Sequence, residues 1–320
     1  MKLHTHTSLP LLFGLASGGF IVLSFLVGIL PAGWVARHNA PVPGSTPLTQ
    51  QQLAGLRVYV AEGCGYCHTQ QVRPLPEDSV FGRPSAPGDY AWLAPLGHFI
   101  QVPEILGTER TGPDLTNVAA RQPSDVWNYI HLYNPRAVVP TSIMPAFPWL
   151  FETTRSPGAR ATRVPVPSGF VSAGTTVVVT PRAEALVAYI LSLKQTPIGP
   201  SSARATTTGA AAGAQIYTSR CVACHQSDGR GVPGAFPPLA GDPVVNDSAS
   251  THLHIVINGL QGKTINGVAY SAAMPAWGPM LSDAEIAAVV TYERSSWGNH
   301  GSPVTVADVT AARGQARAAQ

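Results

Sequence analysis

From Leu11 to Leu30 the chain reads LLFGLASGGFIVLSFLVGIL, an uncharged and almost wholly apolar run of twenty residues. No Asp, Glu, Lys or Arg lies between Lys2 and Arg37. At about 1.5 Å per residue such a run spans the ~30 Å hydrocarbon core of a bilayer, so residues 1–37 are expected to form one transmembrane helix. A cleaved signal peptide is the rival reading. Its apolar core is usually only ~7–15 residues, and the longer run here favours a retained anchor.

Beyond the anchor the apolar positions take helical spacing. In TQQQLAGLRVYVAEG, Leu53, Leu56 and Val60 fall on one face. In TPRAEALVAYILSLKQT, Thr180 can cap, Pro181 suits the first helical position, and Leu186, Ile190 and Leu193 form a buried stripe. A shorter helix is expected in GAQIYTSR. LSDAEIAAVVTYERSSWG pairs a capping box at Ser282 and Glu285 with an inward face of Ile286, Val289 and Val290. Strand-like alternation is confined to GFVSAGTTVVVT, residues 169–180, which is expected to form a hairpin.

Residues 38–48 read as a Pro-rich tether, and TPIGPSSARATTTGAAAG, residues 196–213, as a flexible linker with almost no large apolar side chains. The expected organisation is an anchor over 1–37, one domain over 38–195, the linker over 196–213, a second domain over 214–300 and a tail over 301–320. Each domain opens and closes with a helix, as a diverged internal repeat would. The fold class is mainly α.

Charge narrows the partners. The chain of 320 residues carries a formal +3, and thirty prolines with 31 glycines imply short elements joined by many turns. Residues 37–196 hold 12 basic and 10 acidic side chains, and residues 205–320 hold 6 and 7. Neither half has the basic field that nucleic acid requires. That partner is excluded.

The four cysteines carry the sharpest signal. They fall in EGCGYCHTQ, at Cys64 and Cys67, and in SRCVACHQS, at Cys221 and Cys224, each pair followed directly by a histidine. A C-x-x-C-H pentapeptide can form two thioethers to haem and set its histidine beneath the iron. A thioredoxin-type pair needs no such histidine, and zinc would need ligands that four cysteines do not supply. The pattern predicts two covalently bound haem c groups, with His68 and His225 as proximal ligands.

A second axial ligand is expected from methionine, which raises the potential of a low-spin carrier. Met144 and Met274 stand in matching contexts, SIMPAFPW and SAAMPAWG, and are the leading candidates. Met280 remains open in the second domain and His131 in the first. His252 and His254, on THLHIVIN, read as structural or solvent-facing.

RTGPDL and GAFPPLAG share a Pro-x-Leu after each motif and resemble class I cytochromes c, in which a proline carbonyl accepts the proximal imidazole N–H. The resemblance implies that Pro113 serves His68 and Pro237 serves His225. The spacing is 12 residues in the second domain and 45 in the first, which implies an insertion of about 33.

EGCGYCHTQQVRP, GTERTGPDLTNVAARQPSDVW and HLYNPRAVVPTSIMPAFPWL together resemble the membrane-anchored mono-haem cytochrome c subunit of cbb-type haem–copper oxidases. The resemblance extends from the anchor to about Lys194. It implies ligation by His68 and Met144 and docking beside a polytopic catalytic haem–copper subunit. Residues 152–179 and the fused second cytochrome c domain depart from that pattern.

The expectation is therefore an anchor followed by two cytochrome c-like domains, acting as a di-haem electron-transfer subunit with no catalytic centre of its own. Its donor would be a cytochrome, a cupredoxin or a quinol-oxidising complex. The alternatives are the cytochrome subunit of a related nitric-oxide reductase or of a periplasmic dehydrogenase. Haem c is attached on the extracytoplasmic side, so residues 38–320 are expected in the periplasm, held to the inner membrane by a single pass.

Overall fold

A computed structural model describes residues 8–31, 33–34, 40–96, 105–198, 210–265, 267–270 and 272–318. Lys2, Arg37, the first two residues of the expected tether and residues 199–209 of the expected linker lie outside them. Helix α1 covers Leu9–Ile29 and buries none of its side chains, and its last turns, Ser24–Ile29, are π-helical. By length and composition it can cross a bilayer.

The first domain consists of α2 (Gln50–Ala61), α3 (Asp125–Tyr133), three strands β1 (Phe151–Thr154), β2 (Arg163–Val164) and β3 (Thr176–Val179), and α4 (Pro181–Ile190). A reciprocal capping box between Thr49 and Gln52 starts α2, whose inward face is Leu53, Leu56 and Tyr59, with Val60 only half-buried. Thr180 caps α4 through the Ala183 N–H, and Leu186 and Ile190 are buried. Leu193 lies past the end of α4 and is half-buried.

The hairpin expected within 169–180 does not form. That segment supplies the single strand β3, paired antiparallel with β1 on one side and β2 on the other, Phe151 facing Val179 and Arg163 facing Val178. Its partners lie upstream because the ladder turns Phe151, Val164 and Val177 into the core. The stretch 152–179, expected to depart from the family pattern, thus consists of loops that carry β2, β3 and most of β1.

The second domain runs through α5 (Ala210–Ile216), α6 (Ala249–Asn258), a two-stranded ribbon of β4 (Lys263–Ile265) and β5 (Val268–Tyr270), α7 (Asp283–Ser295) and α8 (Val306–Ala318). Helix α5 begins inside the stretch expected to be linker. The capping box of Ser282 and Glu285 is present, and Ile286, Val289 and Val290 are buried. Residues 301–320, expected as a tail, instead carry α8. It docks through fully buried Val309 and through Arg313, which pairs with Asp283 at 2.6 Å and donates to the Gly278 and Leu281 carbonyls.

The two domains repeat one helix crossing. In the first, α2 meets α4 at Gly55, where an added Cβ would lie 1.9 Å from the Ala185 carbonyl oxygen and 2.7 Å from Tyr189 Cβ. In the second, α5 meets α7 at Gly213, at 2.3 Å from the Ala288 oxygen and again 2.7 Å from a tyrosine Cβ, that of Tyr292. Real Cβ atoms do not approach this closely, so glycine alone lets the backbones touch. A tyrosine also packs by each crossing: Tyr59 edge-on to Tyr189 at 5.5 Å, and Tyr217 tilted on Tyr292 at 5.4 Å.

The domains are also in contact. Val232, Ala235 and Phe236 of the second are buried in the same apolar cluster as Leu56, Ile130 and Leu186 of the first.

Candidate functional site

Each crossing delivers the chain to a cysteine motif. After α2, Gly63 takes a left-handed conformation at φ 72°, which ends the helix, and a 3-10 turn follows over Cys64–Tyr66. Within it the Cys67 and His68 amides both donate to the Cys64 carbonyl, at 3.2 and 3.0 Å. In the second domain a helical turn covers Val222–His225 and stops at Gln226, which has a positive φ of 62°. In the second motif Cys221, Cys224 and His225 face one common space.

Both histidines are fixed by a proline carbonyl. The His68 ring N–H at Nδ1 donates to the Pro113 oxygen at 2.8 Å, and that of His225 to the Pro237 oxygen at 3.0 Å. With Nδ1 engaged, Nε2 is the nitrogen left for a metal. Burial lowers both imidazole pKa values, which favours the neutral, ligating form. Gly112 makes the first contact possible: a Cβ there would strike His68 Cε1 at 2.2 Å, while its own N–H donates to the Cys67 carbonyl.

Burial pushes the Cys64 and Cys224 thiols up to about 12 and raises Cys221 well above its ordinary value. None of the four is in a disulfide. Such thiols are poor thiolate nucleophiles, unlike the activated pair of a thiol–disulfide exchanger.

Around the second motif the structure encloses a cavity of about 290 Å³. Cys221, Cys224, His225, Pro237 and Met274 all line it, so five residues singled out in the sequence converge on one space. Met274 is held there by a reciprocal backbone pair with Leu260, at 2.7 and 3.1 Å. Met280, the competing candidate, packs against the domain core and is not among the lining residues. In the first domain Cys64 and half-buried Met144 pack against the same core cluster, and Arg136 anchors the methionine's loop through the Ser142 and Met144 carbonyls. His131 is half-buried and lies flat on Trp127, ring centroids 4.4 Å apart.

Sequence reasoning missed two supports. Asp114, inside TGPDL, is fully buried and accepts from the Thr69 hydroxyl at 2.6 Å and from the Gln71 and Thr116 amides, tying the post-motif strand to the Pro113 loop. An acidic residue between the proline and leucine of that motif was the available signal. The second support is a buried pair on the cavity wall, His252 Nε2 to Glu293 Oε2 at 2.9 Å. His254, on the same helix, is exposed.

Residues 6–171 match the family described as cytochrome c oxidase, mono-haem subunit/FixO. The chain belongs to the FixO family. Residues 208–292 match a second description, cytochrome c oxidase, cbb3-type, subunit III. The FixO chain is also similar to characterised cytochromes. It is 37% identical over 141 residues to the alcohol dehydrogenase (quinone) cytochrome c subunit of Gluconacetobacter polyoxogenes, covering 40% of this chain and 30% of that one. It is 40% identical over 92 residues to cytochrome c-552 of Thermus thermophilus, covering 27% of this chain and 69% of that one. The gluconate 2-dehydrogenase cytochrome c subunit of Pantoea cypripedii is 35% identical over 104 residues, covering 32% and 24%. The match thus spans less than a third of the dehydrogenase subunits.

Both family matches are to cytochrome c, whose cofactor is covalently bound haem c. The residues present fit it: a cysteine pair beside each histidine, an imidazole with Nδ1 committed to a carbonyl, and a cavity lined by Met274.

Proposed function

We propose that this FixO chain is a di-haem c electron-transfer subunit of a membrane-bound terminal oxidase of the cbb type. In this reading Cys64 and Cys67 bind one haem and Cys221 and Cys224 the other. His68 with Met144, and His225 with Met274, would hold the two irons. Haem c, when bound, supplies a one-electron Fe(III)/Fe(II) couple. The chain's residues do the rest: prolines 113 and 237 orient the imidazoles, the methionines favour a high potential, and the apolar walls exclude water. The observation that carries the reading is the repeated geometry, an imidazole that directly follows each cysteine pair and donates to a proline carbonyl.

The acceptor is proposed to be a catalytic haem–copper subunit, because the FixO match covers the first domain and names an oxidase subunit. Residues 38–320 are proposed to lie on the periplasmic side, with α1 as the anchor. Electrons are proposed to enter at the second domain and leave from the first. A second reading, the cytochrome subunit of a membrane-linked dehydrogenase, is supported by the names of the alcohol and gluconate dehydrogenase relatives.

The test is purification of the chain with its native partners. Pyridine haemochrome should give about two haems per chain, and a haem–copper subunit should co-purify with oxygen consumption. One haem per chain would refute the di-haem reading. Co-purification with a quinoprotein or flavoprotein dehydrogenase, without a haem–copper subunit, would favour the second reading. A reporter fused after Gln320 should be active only on the periplasmic side.

A further inference from the structure

The sequence gives each domain its own attachment motif and puts a low-complexity segment between them, which by itself would leave the two sites independent. The contacts are of another kind. Trp127, on the first turn of α3, donates its indole N–H to the carbonyl of Ala223 at 2.9 Å. Ala223 lies between Cys221 and Cys224, inside the second motif. A face of that indole carries His131, stacked at 4.4 Å with an interplanar angle of 13°. The buried Nδ1 of His131 has no hydrogen-bond partner. One stack therefore joins α3 of the first domain to the backbone of the second motif.

Four further observations place this stack in a built interface. Arg220 donates to the Ala120 carbonyl at 2.6 Å, and Gln226 to the Val138 carbonyl at 3.3 Å. Those two residues directly flank the second motif. Phe236, Ala235 and Val232, from the loop ahead of Pro237, are buried among first-domain side chains. Finally, Gln122, Pro123 and Ser124 of the first domain line the second cavity, and Ser124 is the residue that caps α3 through the Trp127 amide. The second site is thus closed partly by the first domain.

We propose that Trp127 is the positioning residue that pins the second attachment loop to the first domain, making the Trp127–His131 stack the crossing between the two sites. This rests on the di-haem reading above. The step it serves balances simply: one electron leaves the reduced second site, which becomes oxidised, and reduces the first, with no bond made and no proton moved. An electron from the donor then crosses within one chain at a fixed separation and does not wait for two tethered domains to meet.

The test uses the full chain carrying its haems, with Trp127→Ala and Trp127→Phe. Phenylalanine keeps a ring over His131 and loses only the N–H donor. Three readouts are taken: haem content, hydrogen exchange across residues 222–236, and the rate of electron equilibration between the sites after flash reduction. Relaxation enhancement between the two ferric resonance signals reports their fixed proximity independently.

With two haems retained, Trp127→Ala should speed exchange across 222–236 about ten-fold, the equivalent of ~1.4 kcal/mol of interface contact. It should also weaken the relaxation enhancement and slow equilibration by a similar factor. Trp127→Phe should fall between it and the wild type. A Trp127→Ala chain with two haems, wild-type exchange and wild-type equilibration would overturn the crossing. So would a two-haem wild type with no relaxation enhancement. One haem in the wild type would instead overturn the di-haem reading itself, and this proposal with it.

Discussion

The two domains use one device to set a cysteine motif and then bury it differently. In the first, Cys67 is exposed and His68 half-buried, and 45 residues separate the histidine from the proline that holds it. In the second, only 7% of His225 is exposed and the separation is 12 residues. The short loop returns at once as a lid of Val232, Ala235 and Phe236, whose outer side is the first domain. The long excursion of the first spends its residues on Asp78, Arg110 and Asp114, a polar brace beneath the motif. A five-residue motif thus specifies the covalent attachment, while the length of the loop after it governs how much of the site meets water.

A second difference lies on the closing helices. In the register fixed by Ala185 with Ala288 and Tyr189 with Tyr292, Ile190 of α4 occupies the place of Glu293 of α7. Where the first domain buries a methyl-rich side chain, the second buries a carboxylate and pairs it with His252. The exchange puts polarity onto a cavity wall, next to Cys221, which carries Glu293 among its neighbours.

The largest test of the comparison is covalent. Cys64→Ser with Cys67→Ser, and Cys221→Ser with Cys224→Ser, should each halve the haem retained on the chain in denaturing gels. The second variant should also disturb the first domain, because its lid belongs to the shared core, whereas the first variant should leave the enclosed site intact. Limited proteolysis separates the two outcomes.

Ligand exchange sharpens the comparison next. Met144→His and Met274→His should each keep haem and lower one of two midpoints, by on the order of 0.1 V within the roughly 0.8 V that axial ligation controls. Met280→His should move neither, as it is not among the residues lining the cavity. A redox titration in which Met280→His shifts a midpoint and Met274→His does not would reverse the assignment.

The buried pair gives a stability test. His252→Leu leaves Glu293 buried without its partner and should cost about 3–5 kcal/mol in denaturant unfolding. His252→Leu combined with Glu293→Ile, which copies the first domain, should recover most of that loss. No recovery would mean that the pair is required by its cavity and not merely tolerated.

The smallest effect belongs to α8. Arg313→Ala removes the pairing with Asp283 and two carbonyl contacts at a partly exposed site, and should cost about 1–2 kcal/mol. The loss should appear as faster exchange confined to residues 306–318, with both midpoints unchanged.

Much of this was legible in the residues because it is local. A C-x-x-C-H turn, a capping box at Ser282 and Glu285, and the stripe of Ile286, Val289 and Val290 are all set within four or five positions along one helix. The apolar run of α1 is likewise a property of consecutive residues. Both histidine–proline pairings were named from the resemblance of RTGPDL and GAFPPLAG to class I cytochromes c. Part of the pattern misled at the same range. The alternation in 169–180 was read as a self-contained hairpin, but its ladder partner is Phe151–Thr154, and a strand does not encode which distant edge it joins.

The remainder depended on chain segments meeting across long separations. Nothing in GLRVYV distinguishes Gly55 from any other glycine until α4 brings the Ala185 carbonyl against it. His252 and Glu293 are unremarkable alone, and become a pair only when α6 and α7 pack. Trp127 reads as one more apolar position of α3, yet its N–H reaches Ala223 across 96 residues. Hydrogen bonds and helix spacing are short-range rules that a sequence carries in its own periodicity. Which buried polar atom finds which partner is decided by packing, where each contact exists only once every other element is in place.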